Sequence, residues 1–237
     1  MKRHLAEFGF LGCLVLFALL VLKPTPISLN SGKIISESGS QYSFMVSKDN
    51  LPSSWDCNKS INVALNIGSL PRQDRMIFEK DVIAAFKEIA RVSPFHFNLV
   101  GHTTAVPSKN WGFDYAKESI NAPVVVAVLP EGSSNLSFEE GAAAGGSFFK
   151  KNESGRLFSF AGYVIIDLED FYTYNQGSGK MSHQTLVTHE LLHVLGLGHV
   201  SDSSSVMTEK ISLSDGFMGD GDIKGLNALA NHSGCNS

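Results

Sequence analysis

Residues Thr188 to Val200 read THELLHVLGLGHV, which places His189, Glu190, His193, Gly196 and His199 in the order H-E-x-x-H-x-x-G-x-x-H. Such a string leaves a chain few ways to fold. His189 and His193 are four residues apart, so on a helix they project from one face, one turn apart, and reach a single ion. A glycine at 196 accepts the left-handed conformation with which helices usually stop. The chain can then reverse and bring His199 to the same ion. Three neutral imidazoles leave a fourth position open, as catalytic zinc requires, whereas structural zinc is closed by four protein ligands. Glu190 lies beside the metal rather than on it, where it can take a proton from zinc-bound water and later pass it to a leaving amine. The string therefore predicts one catalytic Zn2+ held by His189, His193 and His199, with Glu190 as general base and acid, in a metal-dependent hydrolase.

The rest of the chain supplies a setting for that site. At 237 residues and 43% hydrophobic, it suits one domain with a real core. Lys2, Arg3 and His4 precede an almost unbroken apolar run from Phe8 to Leu22, short for a membrane span and typical of a secretory signal. Lys23-Pro24-Thr25-Pro26 follows directly, with no small-x-small cleavage site. Residues 1–23 are thus read as a signal peptide or an uncleaved signal-anchor, and the bulk of the protein as secreted or tethered outside the cytoplasm. Residues 24–50 are rich in Ser, Gly and Lys with weak periodicity and read as a linker. Residues 51–237 read as the catalytic domain.

Within that domain the pattern alternates between strand and helix. Ile61 to Ile67, Phe95 to Val100, Ala122 to Leu129 and Gly162 to Leu168 read as strands. Asp74 to Arg91 reads as a helix after Pro71, with an apolar stripe of Ile77, Phe86, Ile89 and Ala90 and with Val82 and Ile83 between. The zinc helix is expected from about Ser182 to Leu195, and a last helix from Asp222 to Ala230. His96, His102, His183 and His232 lie outside the motif and are expected to be structural or solvated, with His232 in a polar tail after the last helix. The net charge is −4, and −6 once residues 1–23 are removed. No basic stripe is present, which excludes nucleic acid as a partner class.

The histidine string resembles that of the metzincin metallopeptidases. Met207, in Ser205-Val206-Met207 eight residues after His199, stands where that clan places its Met-turn. The short S-V-M before a polar turn is most similar to the matrixin branch, the family of the matrix metalloproteinases. The resemblance covers roughly residues 51–237, strongly around the zinc helix and loosely elsewhere. It implies an α/β (α+β) fold of metzincin type, with a twisted mixed sheet, a zinc-binding active-site helix and a C-terminal helix. It further implies that Met207 forms a hydrophobic floor under the imidazoles and that Gly145 to Lys150 is an edge strand lining the cleft. Thr208 to Leu213 would wall the pocket for the side chain after the cut. Enzymes of this type bind an extended protein or peptide substrate as an added strand. Gly141 to Gly146 would let a substrate backbone approach closely, although a flexible surface loop explains them equally well. A monomer is expected, with membrane contact only through the leader.

The chain departs from matrixins in three respects. The cysteine-containing latency sequence is missing. No histidine lies between Thr103 and Ser182, which removes the His-x-Asp motif of a second, structural zinc. Asp167, Glu169 and Asp170 form an acidic cluster, the only candidate for Ca2+, and solvated carboxylates are the simpler expectation. Of three cysteines, Cys13 lies in the leader, leaving Cys57 and Cys235 to pair in an oxidising compartment and pin the domain termini; inhibitory capping of zinc by Cys57 is the weaker alternative. Two other functions stay open: a zinc-bearing binding protein without turnover, and a zinc amidohydrolase acting on small or cell-wall peptides. An intact Glu190 argues against the first, and an open groove beside a free strand edge would argue against the second.

Overall fold

The computed structural model describes residues 33–35, 41–46, 52–118, 121–136, 142–153, 155–174, 182–209 and 218–235. The leader and most of the 24–50 stretch lie outside the described residues. The centre of the fold is β5 (Val124–Leu129), whose six residues are all buried. A continuous apolar run of this length belongs to a parallel strand covered on both faces. β5 is flanked by β3 (Ile61–Asn66) and β7 (Leu157–Asp167), both parallel to it. Outside β3 runs β4 (Phe97–His102), also parallel, and outside β7 runs β6 (Ala143–Lys151), antiparallel. The five-stranded order is β4-β3-β5-β7-β6, so β6 is an edge.

Alternate residues divide between the two faces. Val124, Val126 and Val128 enter the main core with α1 (Arg72–Val92), the zinc helix and the C-terminal helix. Val125, Ala127 and Leu129 face a second apolar cluster around Trp111, Leu136 and Phe148. Trp111 opens a short helix, α2 (Trp111–Asp114), and its indole N–H donates to Pro123 O at 3.0 Å. After β7 the chain forms α3 (Leu168–Tyr174), then α4 (His183–Leu195), the two-residue β8 (Leu197–Gly198) and α5 (Asp220–Ser233). The mixed sheet, zinc-motif helix and C-terminal helix are those expected from the sequence.

Several details differ from the sequence reading. The buried face of α1 is Phe78, Val82, Ala85, Phe86 and Ile89, whereas Ile77 is exposed. Phe78 sets this phase by packing edge-on against Phe171 of α3, with ring centroids 5.4 Å apart. β4 starts at Phe97 because Ser93 closes α1, its hydroxyl donating to Ile89 O at 2.8 Å, and the chain must turn before pairing. His232 lies in the last turn of α5, not in a tail beyond it. Part of the stretch read as a linker also forms strands. β1 (Lys33–Ile35) pairs with β2 (Ser43–Val46), and β2 pairs antiparallel with β8. A four-residue strand carries too little period to be seen, and its partner is supplied only by the folded zinc loop.

Cys57 and Cys235 form a disulfide with Cα atoms 6.0 Å apart, closing a loop of 178 residues. The bond ties the start of the domain to the end of α5. Replacing both cysteines by serine is expected to lower unfolding free energy by about 2–5 kcal/mol. Denaturant titration of oxidised wild type against the double variant checks this.

Candidate metal centre

α4 is buried on almost every side, from His183 through Leu195 with Gln184 as the exception. A helix of this kind is a central element rather than a surface one. Ser182 caps its start by accepting from Thr185 N–H at 3.1 Å. Its end is fixed by Gly196, which adopts φ 118°. A side chain there would also press within 2.6 Å of Ser53 O, so position 196 excludes other residues both by conformation and by space.

This stop brings His199 back to His189 and His193. The Nε2 atoms of the three rings form a triangle with edges of 3.0, 3.1 and 3.1 Å. His189 donates its Nδ1–H to Val206 O at 2.6 Å, and His193 donates its own to Leu197 O at 2.8 Å. Neutral rings that give up Nδ1–H in this way carry bare lone pairs on Nε2. Two acceptors then face each other at 3.1 Å with no proton between them, which favours a cation at that point. Two nitrogens bound at 2.0–2.1 Å to a tetrahedral zinc stand about 3.3 Å apart, so the observed spacing fits that ion. Among the described residues, these three histidines form a group able to hold a metal ion, with ligand atoms within 4.8 Å of one another.

Electrostatics favours neutral rings. Burial holds His189 down at about 4, with the carbonyl of Val206 opposing and His199 adding to the effect. Burial also lowers His193 well below the usual imidazole range, and lowers His199. Burial pushes Glu190 the other way, up to about 8, opposed by the N–H of Gly145 on β6. Gly145 is pressed against Glu190: a Cβ at 145 would collide with the Glu190 backbone carbonyl and stand 2.9 Å from Oε2. The carboxyl group thus sits between the zinc helix and β6, an edge strand among the described residues.

The sequence reading missed the residue that orients this centre from behind. Asp222, 1% exposed in the first turn of α5, accepts from Val206 N–H at 2.9 Å and Gly219 N–H at 2.8 Å. Its other oxygen accepts from the Ser205 hydroxyl, and Ser205 Oγ in turn accepts from Met207 N–H at 2.9 Å. One carboxylate therefore fixes the turn whose Val206 carbonyl holds His189. The only signal in the sequence was an acidic residue near a helix start.

The other expected residues fall as follows. Met207 is 1% exposed and lies in the main core, and its carbonyl accepts from Val200 N–H at 2.9 Å. Asp167 caps α3, accepting from Glu169 N–H at 2.8 Å and Asp170 N–H at 3.2 Å, so a helix start accounts for the acidic cluster. His183 is buried and stacked on Phe171, His96 is exposed, and His102 meets Glu79 at 3.0 Å. Thr208 and Glu209 are described, while residues 210–213 of the expected pocket wall lie outside the described residues, as does Gly141.

A family model described as Matrixin matches residues 133–230. The chain carries a matrixin-like metallopeptidase domain. The match runs from before the edge strand through the zinc motif and the Met207 turn into α5, and β3, α1, β4 and β5 precede it. No curated protein matches the chain. Matrixins are zinc metallopeptidases, and the three histidines of this matrixin-like domain stand close together as in a zinc site.

Two predictions arise from this geometry. Asp222→Ala would leave buried N–H and hydroxyl donors unpaired, at roughly 1–3 kcal/mol each. Chemical denaturation should show a loss of at least about 3 kcal/mol, and zinc should bind more weakly because the carbonyl that orients His189 is released. The second concerns pH. An unfolded imidazole takes up its proton near 6.5, but folded His189 only at about 4, so protonation favours the unfolded chain. In metal-free Glu190→Gln, which removes the opposing loss that Glu190, held up at about 8, brings as pH rises, the His189 contribution should be full above pH 6.5 and be lost as pH falls towards 4, by roughly 3 kcal/mol. Melting curves of the chelated variant across that range test it, and added zinc should shift the loss to lower pH.

Proposed function

We propose that this protein is a zinc-dependent endopeptidase that cleaves extended protein or peptide substrates outside the cytoplasm. The observation that carries this reading is that Glu190, next to His189 on α4, meets the Gly145 N–H of β6, an edge strand among the described residues. On β6 the residues that bond to β7 alternate with residues that face outward. Asp167 N–H donates to Ala142 O, and Gly162, opposite Ser147, turns its N–H to Pro123 O on the β5 side. Ala143, Gly145 and Ser147 are therefore the outward set, and Gly145 commits its N–H to Glu190. Ala143 and Ser147 remain to receive a substrate main chain as an added strand, which gives affinity with little demand on sequence.

When bound by His189, His193 and His199, zinc supplies Lewis acidity, which polarises a peptide carbonyl and acidifies water. The chain's own work is then proton transfer and positioning. Glu190 accepts the proton of the attacking water on its carboxylate and later delivers it to the leaving amine. Its burial suits that second role, because the protonated form is the one favoured away from solvent. The Gly145 N–H aims the carboxylate, and β6 holds the scissile bond beside it. An open edge of this kind suits a long substrate better than a small closed one, which favours the endopeptidase over an amidohydrolase.

The test is cleavage of an unfolded protein such as casein by the purified full-length chain, with and without a zinc chelator, beside Glu190→Ala. Turnover should vanish with chelator and fall at least about 1,000-fold in the variant, while the variant still binds one zinc. A zinc-loaded wild type that cuts neither casein nor a peptide library would remove the reading.

A further inference from the structure

The backbone that surrounds the third ligand includes a segment more than 150 residues earlier in the chain. β2 lies antiparallel to β8, with Ser43 opposite Gly198 and Phe44 opposite Leu197. Met45 N–H donates to Gly196 O at 2.8 Å. Gly196 to Gly198 is the connection that carries the chain from the helix to His199. Ser43, 1% exposed, donates its hydroxyl to the carbonyl of His199 itself at 2.6 Å.

The same segment is seated on its other side against α5. The Gln41 carbonyl occupies the space in which a Cβ on Gly221 would stand, and Tyr42 Cβ lies 2.9 Å from where a Cβ on Gly225 would stand. Lys224 Nζ donates to Gln41 Oε1 at 2.6 Å. Gly198 completes the slot, since its own Cβ would lie 2.8 Å from Ser43 Oγ. Three positions without side chains thus admit one strand. The contrast among ligands gives this seat its meaning. His189 and His193 are fixed by a helix and by an Nδ1–H bond each, whereas His199 stands on a loop. A loop ligand needs its backbone held if ordering it is not to be charged against metal binding.

We propose that residues 41–46 form a strap that sets the His199 side of the centre, with Ser43 as its positioning residue, so that metal retention depends on the strap being seated. The inference rests on the zinc-site reading and not on the peptidase reading. It also moves the working boundary of the domain to before residue 41.

Gly221→Ala in the zinc-loaded, full-length chain is the test. The three atoms nearest the new methyl group all belong to Gln41, and alanine is the better helix former, so the substitution is aimed at the strap rather than at α5. Limited proteolysis should then cut within residues 41–46, and zinc should pass to a chromophoric chelator about tenfold faster or more. Ser43→Ala removes one hydroxyl and should speed release by about fivefold. It decides the matter if Gly221→Ala does not fold. Neither readout needs turnover, so an inactive enzyme leaves the strap standing and a failed strap leaves the peptidase reading untouched. An opened strap with wild-type zinc release overturns the proposal. So does wild-type release in Ser43→Ala together with a strap still protected in Gly221→Ala.

Discussion

Two imidazole nitrogens without protons face each other across 3.1 Å because each ring spends its other N–H on a backbone carbonyl. The arrangement has no stable resolution within the protein alone, since two lone pairs repel, and a bound cation turns the repulsion into attraction. Much of the surrounding structure serves to keep those two carbonyls where they are. Leu197 O is placed by the left-handed stop at Gly196. Val206 O is placed by a turn whose N–H and hydroxyl groups converge on Asp222. The carbonyls choose the tautomer, and the tautomer aims the ligating nitrogen.

Burial makes this placement matter. α4 is buried along almost its whole length, so most of its polar groups are withdrawn from water. In such surroundings charged imidazole is disfavoured and the neutral ligand form prevails across the physiological range. The same low polarity makes an ionised Glu190 costly unless something compensates, and the protein provides the Gly145 N–H for that purpose. The imidazoles and Glu190 are thus driven in opposite directions by one cause, which suits the proposed roles of neutral ligand and proton carrier.

The legible part of this design was local. The i, i+4 pair and the glycine stop are dictated by helical geometry and backbone sterics, so His189, His193 and His199 converge as their spacing requires. β5 showed itself by an unbroken apolar run. Cys57 and Cys235 were the only pair outside the leader. What stayed hidden depends on distant partners. The adjacent apolar residues of α1, such as Val82 and Ile83, support two stripes equally, and distant partners such as Phe171 and Phe97 decide between them. Asp222 is an ordinary first-turn acid until the Ser205–Met207 turn is folded against it. β2 has four residues and a partner of two, so no periodicity could announce it.

The centre is held from two sides that share little structure. The base side belongs to the sheet: Glu190 meets Gly145, and β6 is held in turn by its ladder to β7. The ligand side belongs to the C-terminal layer, where α5 grips the Val206 turn through Asp222 and β2 grips the His199 loop through Ser43. Only α4 is common to both. A change in β6 therefore acts first on the aim of the carboxylate, with the imidazoles undisturbed. A change in α5 or β2 acts first on the triangle of nitrogens, with the carboxylate still against the sheet. Side-chain removals on the two sides should combine more nearly additively than removals within one side, because α4 alone connects them. On the proposed function, metal retention and proton transfer are in this sense separate properties of one helix, each fixed by a different layer of the fold.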